Sequence, residues 1–144
     1  MECSILINKF SGDFAFLSNF FDSPFEHEGI VYPTNEHFFQ AMKTLDRDKR
    51  VQIAAALTPG LAKRMGRTLH LRPDWENIKE DIMLQGLRLK FSKRRLKEML
   101  LDTGDEELIE GNNWGDRFWG QCNGEGLNVL GQLLMKVREE LRNE

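Results

Sequence analysis

The sequence predicts one mainly α-helical domain with a minor β element, on three observations. At 144 residues, with 40% hydrophobic and 30% charged residues, the chain suffices for one globular core and is short for two. From residue 35 onward, segments bounded by helix caps carry apolar residues at helical spacing. β signals are confined to short stretches, chiefly near the start of the chain. There is no repeat, low-complexity tract or Ser/Pro/Gly linker, so residues 1–144 read as a single domain.

The elements follow in order. "SILINKF" (4–10) alternates in polarity and predicts a short strand. "SPFEHEGIVYPT" (23–34) predicts a hairpin turning at His27-Glu28-Gly29. Thr34 or Asn35 then caps a helix over 35–45. On that helix Phe38, Ala41, Met42 and Leu45 share one side, expected to face the core, while Glu36, Phe39, Gln40 and Lys43 share the other. In "ALTPGLAKRMGR", Thr58 is the expected N-cap and Pro59 the first helical residue, where a missing N–H costs nothing. Asp74 is the expected cap of the helix in "PDWENIKEDIMLQGLRLKFSK", with Ile78, Ile82, Leu89 and Phe91 contributing an apolar side. "RRLKEMLLDTG" is a shorter helix stopping at Gly104, and "EELIEG" suggests another short strand. "LNVLGQLLMKVREELRNE" is the clearest helix, with Leu130, Leu133, Leu134, Val137 and Leu141 on one stripe. Before it, residues 111–131 hold six glycines and two tryptophans, a composition that suits a compact loop and not a helix.

Composition excludes several classes. No run approaches the 18 apolar residues of a membrane-spanning helix, and "MECSILINKF" lacks the pattern of a secretory signal. A cytoplasmic protein without membrane attachment is therefore expected. Cys3 and Cys122 are too few for a disulfide framework or a four-ligand zinc site, and the three histidines form no H-E-x-x-H pair, so no metal is expected. The Walker motif, G-x-G-x-x-G and G-x-S-x-G are missing. Net charge is −3, but residues 41–100 carry fifteen Lys and Arg against seven acids. That basic centre either neutralises the acidic ends on folding or meets a phosphate-bearing ligand.

Three constellations could carry chemistry. The stripe Glu36, Gln40, Lys43 is either a solvated face or the wall of a site, and Phe39 in its middle argues for the site, which the upstream hairpin could roof. Lys63, Arg64 and Arg67 in "AKRMGR" are either solvated or a phosphate grip. Trp75, Trp114 and Trp119 either pack in the interior or present flat surfaces to a planar base. Asp116, between two of them, is either a turn residue or a carboxylate in an aromatic pocket.

"FSGDFAFLSNFFDSPFEHEGIVYPTNEHFFQAMK", "AALTPGLAKRMGR", "DWENIKEDIMLQGLRLKF" and "NNWGDRFWGQCNGEGLNVLGQLLMKVREEL" together resemble the NADAR (YbiA-like) family, in order and spacing, from about Phe10 to Leu141. The resemblance implies a compact, mainly helical fold and an N-glycosidase that hydrolyses a ribose C1–N bond without cofactor. The substrate would be a phosphorylated N-riboside, either a phosphoribosylamino-pyrimidine of riboflavin synthesis or ADP-ribose on guanine, free or within nucleic acid. No obligate protein partner is implied. Bond cleavage passes through an oxocarbenium-like cation, which a neighbouring carboxylate stabilises. In "YPTNEHFFQAMK" the resemblance makes Glu36 that carboxylate, and in "WGDRFWG" it makes Asp116 the partner handling water or the leaving group. Lys43 would bind phosphate or ribose, or attack ring-opened C1 as an amine. Trp75, Trp114 and Trp119 would wall the base, and Asn19 would hydrogen-bond base or ribose. Lys63 and Arg67 would take the phosphate, and Asn128 would order the loop. Phe20, His37, Gln40 and Gly120 would complete the substrate contacts. Gln121-Cys122-Asn123 stand where some members have a further acid and a histidine. Two other classes fit the same residues: a non-catalytic module sensing NAD or ADP-ribose, and a single-strand nucleic-acid binder using the tryptophans.

Overall fold

The structure, a computed structural model, describes residues 7–144. Its elements are predominantly helical, and they gather into two compact units. One unit is Asn19–Lys90; the other comprises the described residues through Ser18 together with Phe91–Glu144.

In the first unit, strands β1 (Phe25–His27) and β2 (Ile30–Tyr32) pair antiparallel, Phe25 opposite Tyr32. The two-residue turn Glu28-Gly29 has positive φ at both positions (51° and 81°), the twist that a tight hairpin requires. Helix α1 (Asn35–Ala41) follows at once, and the Thr34 hydroxyl accepts the His37 N–H to cap it. Helices α2 (Arg47–Ala54), α3 (Pro59–Gly66) and α4 (Trp75–Lys90) all pack on α1. Thr58 caps α3 through the Leu61 N–H, with Pro59 in the first turn. Every residue of α1 is buried, so neither of its faces is wet.

Several expectations change here. The helix expected over 35–45 ends at Ala41 with Met42 as its cap, which turns Leu45 outward (65% exposed) instead of into the core. The hairpin does not roof the Glu36 face. It covers the opposite one, where Phe25, His27 and Tyr32 meet Phe38 edge-on at 5.3–5.4 Å. Helix α2 is not anticipated by the sequence patterns. Asp46 caps it through the Asp48 and Lys49 N–H groups, but its charged, weakly striped sequence gives little periodic signal. Asp74 does precede α4, with its carboxylate receiving the Arg72 guanidinium at 2.7 Å.

In the second unit, a 3₁₀ segment (Gly12–Leu17), also unanticipated, precedes α5 (Arg94–Asp102), β3 (Gly111–Asn112), β4 (Gln121–Cys122) and α6 (Val129–Arg142). Much of the strand expected over 4–10 lies outside the described residues; Ile7 makes a single parallel bridge to Leu108. That bridge and the two-residue β3 replace the strand suggested for "EELIEG", and β3 pairs in parallel with β4. Helices α5 and α6 pack together, burying Leu96, Leu100, Leu130, Leu134 and Val137. The Arg138 guanidinium, also buried, donates to the Thr103 hydroxyl at 2.9 Å.

Candidate active site

The unit Asn19–Lys90 gathers most of the expected site residues around α1. Glu36, in the first helical turn, is only 7% exposed. Its N–H donates to the Asn19 carbonyl at 3.0 Å, and its Oε1 accepts from Gln40 Nε2 at 2.8 Å, one turn on. Burial raises the Glu36 pKa, against the opposing pull of the Gln40 hydrogen bond, Lys63, Lys43 and His37. A desolvated carboxylate among cations interacts strongly with positive charge developing beside it, because little water screens the pair.

Lys43 lies just beyond the end of α1 and is partly buried. Its Nζ stands 5.7 Å from the Phe39 ring centroid and 6.0 Å from that of Trp75. Those two rings meet edge-on at 5.0 Å, which explains the aromatic in the middle of the polar stripe. Burial lowers the Lys43 pKa; Glu36 counteracts this, while Arg67 and Lys63 reinforce it. The Lys43 carbonyl accepts the Arg72 N–H at 2.9 Å, so the Arg72–Asp74 pair holds the segment carrying the lysine. Lys63 is partly buried and Arg67 exposed, and both bear electrostatically on Lys43.

Three expected contacts are occupied within the protein. His37 is buried with Nε2 3.0 Å from the Ala56 carbonyl and Nδ1 2.8 Å from the Thr34 hydroxyl. A carbonyl only accepts, so Nε2 carries a proton, and Nδ1 shares a hydrogen bond with the hydroxyl. His37 thereby locks the start of α1. Asn19 Oδ1 accepts from Asn35 Nδ2 at 2.9 Å, and its own amide points at Met83 sulfur at 3.5 Å. Gln40 serves Glu36. Phe20 is exposed beside Asn19. Trp75 is 5% exposed and packs on Phe39.

Sequence patterns mark Asn35 only as a possible cap, and they do not single out Gly66 or Gly86. A Cβ on Gly66 would overlap Gln40 Oε1, and one on Gly86 would overlap Asn35 Oδ1. Glycine inside a helix costs about 1 kcal/mol relative to alanine, and that penalty is the available sign of close packing.

The other unit holds Trp114, Asp116, Trp119, Gly120 and Asn128. Asp116 Oδ1 accepts the N–H groups of Phe118 and Trp119 at 3.1 and 2.9 Å, shaping the loop as a turn residue. Asn112 braces it, donating to the Asp116 carbonyl and accepting the Asp116 N–H. Trp114 is 64% exposed, and the partly buried Trp119 ring meets Phe118 at 4.8 Å. The Gly120 carbonyl accepts the Asn128 N–H at 3.1 Å. The Asn128 side chain receives the Glu110 N–H and donates to the Leu108 carbonyl, both at 2.9 Å, tying the loop to the strand region. Among the described residues no group of three or more His, Cys, Asp or Glu could hold a metal ion, and no helix is long and apolar enough to cross a membrane.

The unit thus holds a buried carboxylate, Glu36, bonded to the Gln40 amide and subject to the positive charge of Lys63 and Lys43. Comparison with known proteins identifies the family. A family model described as the NADAR domain matches residues 8–142. The chain is 42% identical over 138 residues to N-glycosidase YbiA of Shigella flexneri, covering 93% of this chain and 86% of that one. It is 36% identical over 146 residues to a riboflavin biosynthesis protein of Vibrio vulnificus, covering 99% of this chain and 40% of that one. The NMR structure of Escherichia coli YbiA matches with a TM-score of 0.87 at 39% identity, covering 99% of this chain and 88% of that one. The chain belongs to the NADAR family, and it is a hydrolase of N-glycosyl bonds.

Proposed function

We propose that this chain hydrolyses the ribose C1′–N bond of a phosphorylated N-riboside, with a phosphoribosylamino-pyrimidine as the first substrate class and ADP-ribosylated guanine as the second. The observation that carries this reading is the Glu36 carboxylate, buried and flanked by Lys63 and Lys43. The name of the Vibrio vulnificus relative favours the pyrimidine class. In the reaction water adds across the bond: its hydroxyl goes to C1′ and its proton to the departing nitrogen. Glu36 as carboxylate lowers the energy of the ribosyl cation formed as the C1′–N bond stretches. Lys63, Arg67 and Lys43 supply positive charge for the phosphate, which anchors the ribose while C1′ reacts.

Lys43 has a second reading, favoured by the burial that lowers its pKa. Its neutral amine would add to C1′ of the ring-opened sugar, still joined to the base nitrogen as an imine. That nitrogen would leave as the protonated amine, and water would hydrolyse the Lys43–ribose imine to free sugar and lysine. Borohydride added during turnover would leave a ribosyl adduct on Lys43 under this reading, and none under the first.

The substrate class is tested by incubating the protein with a phosphoribosylamino-pyrimidine, its dephosphorylated riboside, and an ADP-ribosylated guanine nucleotide. Release of free base from a phosphorylated compound and about 100-fold less from the dephosphorylated one supports the reading. Equal turnover of both, or none of any, removes it.

A further inference from the structure

The bare backbone of Gly66 and the side chain of Gln40 make a second layer behind Glu36. Gln40 is 5% exposed, and its Nε2 donates to Glu36 Oε1 at 2.8 Å. Its Oε1 is buried with no hydrogen-bond partner among the described residues, and it faces Gly66 on α3. A Cβ at that position would overlap Oε1 and stand 2.7 Å from Cδ and 3.1 Å from Cβ of Gln40. An amide with one end buried against a helix backbone and the other bonded to a carboxylate has one orientation available. A side chain in solvent or free to meet substrate would not leave a buried acceptor in that state.

We propose that Gln40 is a positioning residue, clamped by Gly66, that fixes the Glu36 carboxylate in its working orientation. The proposal rests on the reading of Glu36 as the carboxylate at C1′, but its test does not need turnover. The groups facing Glu36 are Lys63 from α3, Lys43 after α1, and His37 on α1, and all remain in the variants used. Gln40→Met keeps volume and removes the donor. Gly66→Ala keeps Gln40 but displaces its amide and presses on its Cβ, 3.1 Å from the added methyl.

The Glu36 carboxyl is titrated by carbon-detected NMR in the wild type, each single variant and the double variant. Losing a hydrogen bond to a charged acceptor is expected to move the midpoint upward by about one to two pH units in Gln40→Met. Gly66→Ala is expected to move it in the same direction, and the double variant no further than Gln40→Met alone. In turnover, the acid limb of the pH–kcat profile should follow the NMR midpoint while KM stays within about threefold. An unchanged Glu36 midpoint in Gln40→Met overturns the proposal, as does additive behaviour in the double variant. If Gly66→Ala fails to fold, the Gln40→Met titration decides alone. A protein in which Gln40→Met shifts the midpoint but Glu36→Gln leaves hydrolysis intact would preserve the clamp and remove the catalytic reading of Glu36.

Discussion

Glu36 carries two opposed demands in one side chain, because the burial that makes its charge effective also makes that charge costly. Since burial raises its pKa, the native state keeps a proton there over a range in which the unfolded chain has released it. Stability from this group therefore falls as pH rises from about 4.5, the unfolded value, through the raised native value. Glu36→Gln removes that dependence while keeping an acceptor for Gln40, so its melting temperature should exceed that of the wild type at neutral pH and converge with it in acid. A variant less stable at neutral pH would contradict this. Asp116 presents the opposite case, a carboxylate whose observed contacts are backbone amides. Asp116→Ala should cost about 1–3 kcal/mol by leaving the Phe118 and Trp119 N–H groups without their acceptor, measured by urea unfolding. Asp116→Asn keeps the acceptor and should keep most of the stability, so any loss of turnover in it reports the charge. The motifs locate both acids, but no local pattern shows that one carboxylate is buried against the Gln40 amide and the other bonds its own loop's backbone. His37 and Asn19 illustrate the same limit: their polar groups meet Ala56, Thr34 and Asn35, and only His37–Thr34 is a neighbour by sequence.

Helix α1 is the element on which the site depends, and it is unevenly legible. Pro33-Thr34-Asn35 marks its start because a capping hydroxyl is a local device. Its end is not marked in the same way: the apolar spacing continues to Leu45, although the chain leaves the helix after Ala41. The polar stripe does not read as interior because periodicity assumes one wet face, and α1 has none: the hairpin covers Phe38 while Trp75 of α4 covers Phe39. Close approach of α4 requires Gly86, where a Cβ would overlap Asn35 Oδ1 and come within 2.9 Å of the Phe38 ring. Gly86→Ala should therefore cost about 1–3 kcal/mol despite its better helix propensity. Gly60→Ala, whose Cβ would meet nothing closer than 3.9 Å, is the control and should be close to neutral. Equal unfolding midpoints for the two variants would show that helix spacing does not depend on Gly86.

Across the whole molecule, the basic centre of the sequence is divided between two uses that composition does not separate. Arg50, Arg72, Lys79, Arg94 and Lys97 pair with Glu28, Asp74, Glu76, Glu98 and Glu144, whereas Lys43, Lys63 and Arg67 bear on the buried site around Glu36. The helical class is legible because caps and stripes are local, while the division into two compact units depends on packing between distant segments. Lys90, the last residue of α4, is fully buried, and burial lowers its pKa to about 7. Between about pH 7 and 10.5 the unfolded chain holds a proton that the native Lys90 has released, so stability from this group rises with pH across that window. Lys90→Met should flatten the dependence of the melting temperature on pH between about 7 and 10; an unchanged slope would place the dependence elsewhere. The central claim, that a buried carboxylate at position 36 stabilises the cation formed at C1′, is tested most directly by single-turnover hydrolysis and equilibrium binding of a phosphoribosylamino-pyrimidine with wild type and Glu36→Gln. The expected result is a loss of about 100- to 1000-fold in rate with affinity within about threefold. Hydrolysis by Glu36→Gln at the wild-type rate would contradict it.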